Sequence, residues 1–181
     1  MLKLDDNPPM LSPEVTDVSV MPGSWWVVHT KSRCEKAVAG DLLVKNIGYF
    51  LPLVKRIKVS GGRKRHFILP LFSSYVFLNG SEDDCYRARS RHICQMIRVV
   101  DQITLMRELI AIDTALRSET PIEFYPRPAC GQRCRIISGS LKGIEGVVVS
   151  QNGRSRIVLE VSILGQGAML EIDADLLEVC A

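Results

Sequence analysis

Cations and aromatic rings, rather than nucleophiles, make up the chemical inventory of this 181-residue chain. KRIKVSGGRKRH, residues 55–66, carries six Lys and Arg around Gly61-Gly62, and LPLFSSYVFL, residues 69–78, follows with Phe72, Tyr75 and Phe77. Ammonium and guanidinium groups suit phosphate oxygens. An aromatic row on a strand suits a contact surface for another macromolecule. The three histidines, His29, His66 and His92, stand in no Ser-His-Asp or Cys-His context, and Glu145 lies in a glycine turn. Neither Gly61-Gly62 nor the later glycines have the strand-Gly-helix setting of a P-loop or dinucleotide fingerprint. Six cysteines (34, 85, 94, 130, 134 and 180) include no C-x-x-C pair, so they read as free thiols without a metal. The expectation is a protein with no enzymatic chemistry, no metal and no cofactor.

Charge is unevenly distributed. The net formal charge is +3, but residues 1–23 hold −3, residues 24–120 hold +7, and residues 129–181 hold −1. The basic middle segment is the one suited to a phosphate backbone. Hydrophobic residues at 46% and charged residues at 24% are near globular averages, which argues against disorder. No apolar run reaches the ~20 residues needed to cross a bilayer. The N-terminal stretch is acidic and proline-bearing where a secretory signal is basic and apolar. A cytoplasmic location, without membrane, is expected.

Elements must position these groups. Residues 1–23, with four prolines, read as a flexible tail. WWVVHT, residues 25–30, reads as a strand, and Ser32 with Glu35 as a capping box opening a helix that Gly48 closes. Residues 49–54 read as a second strand and 55–66 as a basic hairpin or mobile arm. Residues 69–78 read as a third strand, a short helix starts near Ser81, and residues 95–100 form a fourth strand. Leu105, Leu109, Ile112 and Leu116 recur at helical spacing and mark an amphipathic helix. Pro121, Pro126 and Pro128 make a linker. The order β-α-β-β-α-β-α implies an α+β sandwich of about 100 residues.

The C-terminal segment reads differently. β-branched runs at 135–137, 144–149, 156–163 and 168–172 are separated by glycine turns, with the hairpin signal Asn152-Gly153 between two of them. This predicts a small β-barrel of roughly 50 residues. Its G-S-L-K-G-I-E-G-V-V, from Gly139 to Val148, resembles the KOW motif of transcription-elongation and ribosomal proteins.

Further motifs resemble the NusG family. WWVVHTKSRCEK, residues 25–36, is similar to the opening of the NusG N-terminal (NGN) domain. It is closest to the W-Y-x-x-H-T-K-x-x-x-E-K form of the specialised RfaH, LoaP and UpxY paralogues. LPLFSSYVFL resembles the family's x-P-L-F-P-x-Y-x-F-V strand, IRVV at 97–100 its fourth strand, and VSILGQGAMLEIDADLLEV the end of its KOW domain. The resemblance covers residues 24–179. It implies a tail (1–23), an NGN-like α/β sandwich with an antiparallel sheet and flanking helices (24–120), a linker (121–130) and a KOW β-barrel (131–181).

The resemblance also implies a function: a monomeric elongation or antitermination factor that binds the clamp helices of RNA polymerase and the non-template DNA strand, suppressing pausing or termination at particular operons. The alternatives are a housekeeping NusG, or a KOW-type RNA- or ribosome-binding protein without polymerase contact. On the family pattern, Val27, His29, Phe72, Tyr75 and Phe77 match the polymerase-binding positions. Lys31, Arg33 and Arg91 match the DNA contacts, while Arg63, Lys64 and Arg65 are further nucleic-acid candidates on the variable hairpin. Ile163 and Leu164 match the KOW site for ribosomal protein S10 or Rho. Three departures stand out: Ser73-Ser74 replaces the usual Pro-x before the tyrosine, Leu164 replaces a phenylalanine, and no Thr-Thr pair occurs near Tyr86.

Overall fold

A computed structural model describes residues 7–180 other than 61, 119, 128, 152 and 153, with the backbone alone at 58, 60, 63, 150, 151 and 154. The expected Asn152-Gly153 turn therefore lies outside the described residues, as do Gly61 and the side chain of Arg63. The chain is mixed α+β and divides into two compact units, Met1–Gln102 and Ile103–Ala181.

The first unit is built on a five-stranded antiparallel sheet. Its strands are β1 (Leu11–Ser12), β2 (Ser24–Thr30), β3 (Gly48–Phe50), β6 (Tyr75–Gly80) and β7 (Ile93–Arg98), in the order β1-β3-β6-β2-β7. Helices α1 (Glu35–Val44) and α2 (Glu82–Ala88) lie in the connections. Val28, Val76, Leu78 and Tyr49 from the sheet join Val38, Ala39 and Leu42 of α1 and Cys85 and Ala88 of α2 in one buried cluster. Each such valine or leucine side chain stabilises by about 1.5–3 kcal/mol. Strands β4 (Leu53–Ser60) and β5 (Arg63–Pro70) pair only with each other among the described residues, as a separate hairpin.

Several local expectations give way to tertiary structure. The segment read as a flexible tail contributes an edge strand: Leu11 pairs with Phe50, the Leu51 N–H donates to the Met10 carbonyl, and Leu11, Val18 and Met21 are buried. Three well-spaced apolar residues suffice to anchor it, despite the prolines. Helix α1 has Cys34, not Ser32, as its N-cap, with no side-chain cap bond. Its C-terminal turn passes through Asn46 in the left-handed region (φ 53°), before Gly48 is reached. Residues 69–78 are two strands rather than one, broken at 71–74. The short helix does begin after Ser81, whose hydroxyl and the Asp84 carboxylate form a reciprocal capping box.

The second unit is a six-stranded antiparallel sheet with α3 (Gln102–Arg117) preceding it. Its strands are β8 (Ile122–Tyr125), β9 (Gln132–Ile136), β10 (Glu145–Gln151), β11 (Arg154–Val161), β12 (Gln166–Glu171) and β13 (Leu177–Val179), ordered β13-β9-β10-β11-β12-β8. Ile136, Val147, Ile157, Leu159, Val161 and Leu170 form its interior. The proline-flanked linker contains β8, because IEFY is β-branched and aromatic and finds the open edge of β12. Gly146 sits where a side chain has no room: a Cβ there would lie 2.6 Å from the Val158 carbonyl oxygen. Helix α3, which the element order places with the first domain, falls from Ile103 onward in the second compact unit. Glu108 on α3 accepts hydrogen bonds from the Ser162 N–H (3.1 Å) and hydroxyl (2.5 Å).

Candidate nucleic-acid and partner interface

The site is assembled at one end of the first unit's sheet, where β2 ends and β6 and β7 begin. Antiparallel register sets His29 opposite Tyr75 and Thr30 opposite Ile93, with an irregularity between His29 and Thr30 on the β7 side. The His29 and Tyr75 rings stack at 5.2 Å with 26° between their planes, and both are half-buried. The chain then turns at Ser32-Arg33. The Lys31 N–H donates to the His92 carbonyl at 2.8 Å, fastening this turn to the one that carries Arg91. Lys31, Arg33 and Arg91 are exposed, and among the described residues none of them is ion-paired to a carboxylate. Arg33 holds φ 62°, a left-handed conformation that costs a non-glycine residue about 1–2 kcal/mol. Three cations and a stacked aromatic pair thus share one corner.

The corner is braced from behind by a residue that sequence reasoning assigned to a capping box. Glu35, 5% exposed, does not cap its own helix; its Oε1 accepts the Ser74 N–H at 2.6 Å. Ser74 is itself left-handed (φ 67°), and its carbonyl accepts the Thr30 N–H at 2.8 Å. Ser74 is therefore held on both sides, through its N–H by α1 and through its carbonyl by β2. Lys36, next in sequence, donates to the Ile68 carbonyl and to Asn7 Oδ1, both at 2.5 Å, anchoring the base of the β4–β5 hairpin. Burial pushes the Lys36 ammonium below its usual range, opposed by the neighbouring Glu35 charge. The Glu-Lys pair of the HTK…EK motif is a positioning device. The motif itself, and the Ser73-Ser74 departure, were the available signals.

The remaining expected site residues are dispersed. Val27 (0% exposed), Phe72 (1%) and Phe77 (0%) are interior, so the expectation that they present polymerase-binding side chains does not fit this structure. Phe77 packs 6.3 Å from Phe50 and edge-on to Phe72 at 6.1 Å. Alternation puts Tyr75 and Phe77 on one face, but Phe77 lies deeper in the sheet, between those two rings. Lys64 and Arg65 are exposed on β5, near the far end of the hairpin. In the second unit, β11 stops at Val161, and Ile163 and Leu164 occupy a short 3-10 turn closed by left-handed Gly165. Ile163 is exposed and Leu164 half-buried, beside the Ser162 that Glu108 holds. Burial raises the Glu108 carboxyl above its ordinary value, and the Ser162 hydrogen bonds oppose that shift. No helix among the described residues is long and apolar enough to cross a membrane.

Comparison with known proteins places the chain. No curated protein sequence matches it. Among solved structures, one titled the crystal structure of an MjSpt4:Spt5 complex, conformation B, is similar at 16% identity, covering 87% of this chain and 97% of that one, with a TM-score of 0.29. A family model described as transcription termination factor nusG matches residues 23–120, the stretch holding β2 through α3 and the whole corner. That match spans more than half of the 181 residues, and the chain belongs to the NusG family of transcription elongation factors.

Proposed function

We propose that this protein binds RNA polymerase and the non-template DNA strand, and suppresses pausing or termination at particular operons. The observation that carries the reading is the corner: stacked His29 and Tyr75 beside Lys31, Arg33 and Arg91, with the Ser74 N–H next to Tyr75 held by Glu35. The half-exposed pair offers a partner apolar ring surface at little entropic cost, because stacking has already fixed it. The three cations attract phosphates, and arginine also stacks on an extruded base. Val27, Phe72 and Phe77 act indirectly, as the packed floor beneath the pair. The W-x-x-x-H-T-K…E-K opening supports the specialised branch over a housekeeping factor, and gene position at the head of a long biosynthetic operon tests that assignment.

Through Ile163 and Leu164 the KOW unit recruits a second partner, ribosomal protein S10 or Rho. The work is binding rather than catalysis, carried out by a monomer in the cytoplasm. The experiment is capture of the full chain on purified core RNA polymerase. Wild type binds, Tyr75→Ala weakens binding at least tenfold, and Lys31→Gln with Arg33→Gln spares polymerase binding while losing crosslinking to the non-template strand. Wild-type protein that ignores polymerase but binds RNA or ribosomes would establish the competing KOW-type reading instead.

A further inference from the structure

The β4–β5 hairpin carries a separate chemistry. Between Asp41 and Glu82 the sequence contains no carboxylate, while Lys55, Arg56, Lys58, Arg63, Lys64 and Arg65 fall within the hairpin. Its strands pair without a break from Leu53 opposite Pro70 to Ser60 opposite Arg63. At eight residues each they run about 26 Å, roughly eight base pairs of duplex. Among the described residues, Lys55, Arg56, Lys64 and Arg65 have no carboxylate partner.

Register decides how these charges face. Directly opposed residues share a face, so Lys55, Ile57 and Val59 lie with Ile68, His66 and Lys64, whereas Arg56 lies with Phe67 on the other face, as does Arg65. The ribbon is cationic on both faces. Its most exposed apolar side chains are aliphatic, Ile57 at 60% and Val59 at 63%, and His66, opposite Ile57, is the one exposed ring among the described residues of the hairpin. A single strand calls for successive exposed aromatic platforms, and the lone His66 ring does not make a row of them. The B-DNA major groove, about 12 Å wide, admits a two-stranded ribbon, places phosphates on both walls and offers thymine methyls to aliphatic side chains. The major groove of duplex RNA is too narrow to be read this way.

We propose that hairpin β4–β5 is a duplex-DNA arm that enters the major groove, with Lys55, Arg56, Lys64 and Arg65 on the phosphates and Ile57 and Val59 toward the base edges. It does not depend on the polymerase reading of the corner, and the two fail separately. The test is fluorescence anisotropy of the full chain with a mixed-sequence DNA duplex of about 20 base pairs, the matching single strand and the matching RNA duplex, over a salt series. The expected result is that K55Q/R56Q/K64Q/R65Q weakens duplex-DNA binding at least tenfold. Its log–log salt slope should fall by about 3–4, at ~0.9 per lost phosphate contact. Single-strand binding stays within about twofold, which also reports an intact fold, while K31Q/R33Q/R91Q behaves in the opposite way. Lys64→Gln/Arg65→Gln alone, at two exposed positions near the far end of the hairpin, should give about half the slope change. Wild type that does not bind duplex DNA, duplex RNA bound as tightly as DNA, or unchanged duplex binding by both arm variants overturns the proposal.

Discussion

Glu35 offers the sharpest test of how the corner is built. It is buried, and its carboxylate receives the N–H of a left-handed serine. A hydrogen bond to a charged group contributes about 1.5–3 kcal/mol, and leaving a buried N–H unsatisfied costs about 1–3 kcal/mol. Glu35→Ala removes the acceptor and exposes both effects, so a loss of about 3 kcal/mol is expected. Glu35→Gln retains an acceptor oxygen at roughly half the strength, for a loss of about 1 kcal/mol. The partner perturbation is Ser74→Gly. It relieves the left-handed strain but loosens the unfolded chain, for a net gain of about 0.5–1 kcal/mol. Urea unfolding of the four proteins in a double-mutant cycle reads the coupling, expected at about 1 kcal/mol because glycine needs less bracing. Amide exchange adds a local readout: the Ser74 and Tyr75 N–H groups should lose protection in Glu35→Ala, whereas Leu78 should not. Additive free energies within about 0.3 kcal/mol, together with unchanged Ser74 protection, would falsify the bracing role.

Two further outcomes follow from burial and packing. The Tyr49 hydroxyl donates to the Pro9 carbonyl, and burial pushes its pKa from 10.0 up to about 12. The folded state thus holds its proton more tightly than the unfolded one, a contribution present below pH 10 and lost as pH rises toward 12. Tyr49→Phe should flatten that alkaline fall in stability, as followed by urea unfolding with tyrosinate absorbance as the titration probe; an unchanged fall would assign it elsewhere. Gly146→Ala drives a methyl to 2.6 Å from the Val158 carbonyl and 2.7 Å from the Ile157 side chain. Pushing β10 from β11 should cost about 2–3 kcal/mol in the second unit, with exchange accelerated there and unchanged on β2 and β6.

Signals confined to one element were legible before any coordinates. The Ser81 start of α2 needed only its own hydroxyl and Asp84, three residues on, and the structure has that capping box. The same pattern at Ser32 and Glu35 misled. Arg33 leaves the helical region, and Glu35 has a stronger call on its carboxylate from Ser74, 39 residues away in sequence. LPLFSSYVFL looked like one strand because Phe72, Tyr75, Val76 and Phe77 favour extended chain on both sides of the serines. The break comes from the left-handed Ser74 that Glu35 and Thr30 hold in place. Prolines made the N-terminal segment look unstructured, while its pairing with β3 depended on an edge that exists only once the sheet forms.

The sequence by itself determined the class of molecule: a mixed α+β first part and a glycine-punctuated β module, with the cations concentrated in the former. Those follow from periodicity, turn chemistry and charge, which act over a few residues. It also carried the family, because the motifs retain their order. Tertiary structure alone decided which aromatics are surface and which are floor. Alternation makes Tyr75 and Phe77 equivalent, and only the depth of each in the packed sheet separates them. Three-dimensional register likewise joined Lys31 to the Arg91 turn and gave the hairpin two cationic faces. Both depend on backbone hydrogen bonds between distant segments, whose partners no local run of residues specifies.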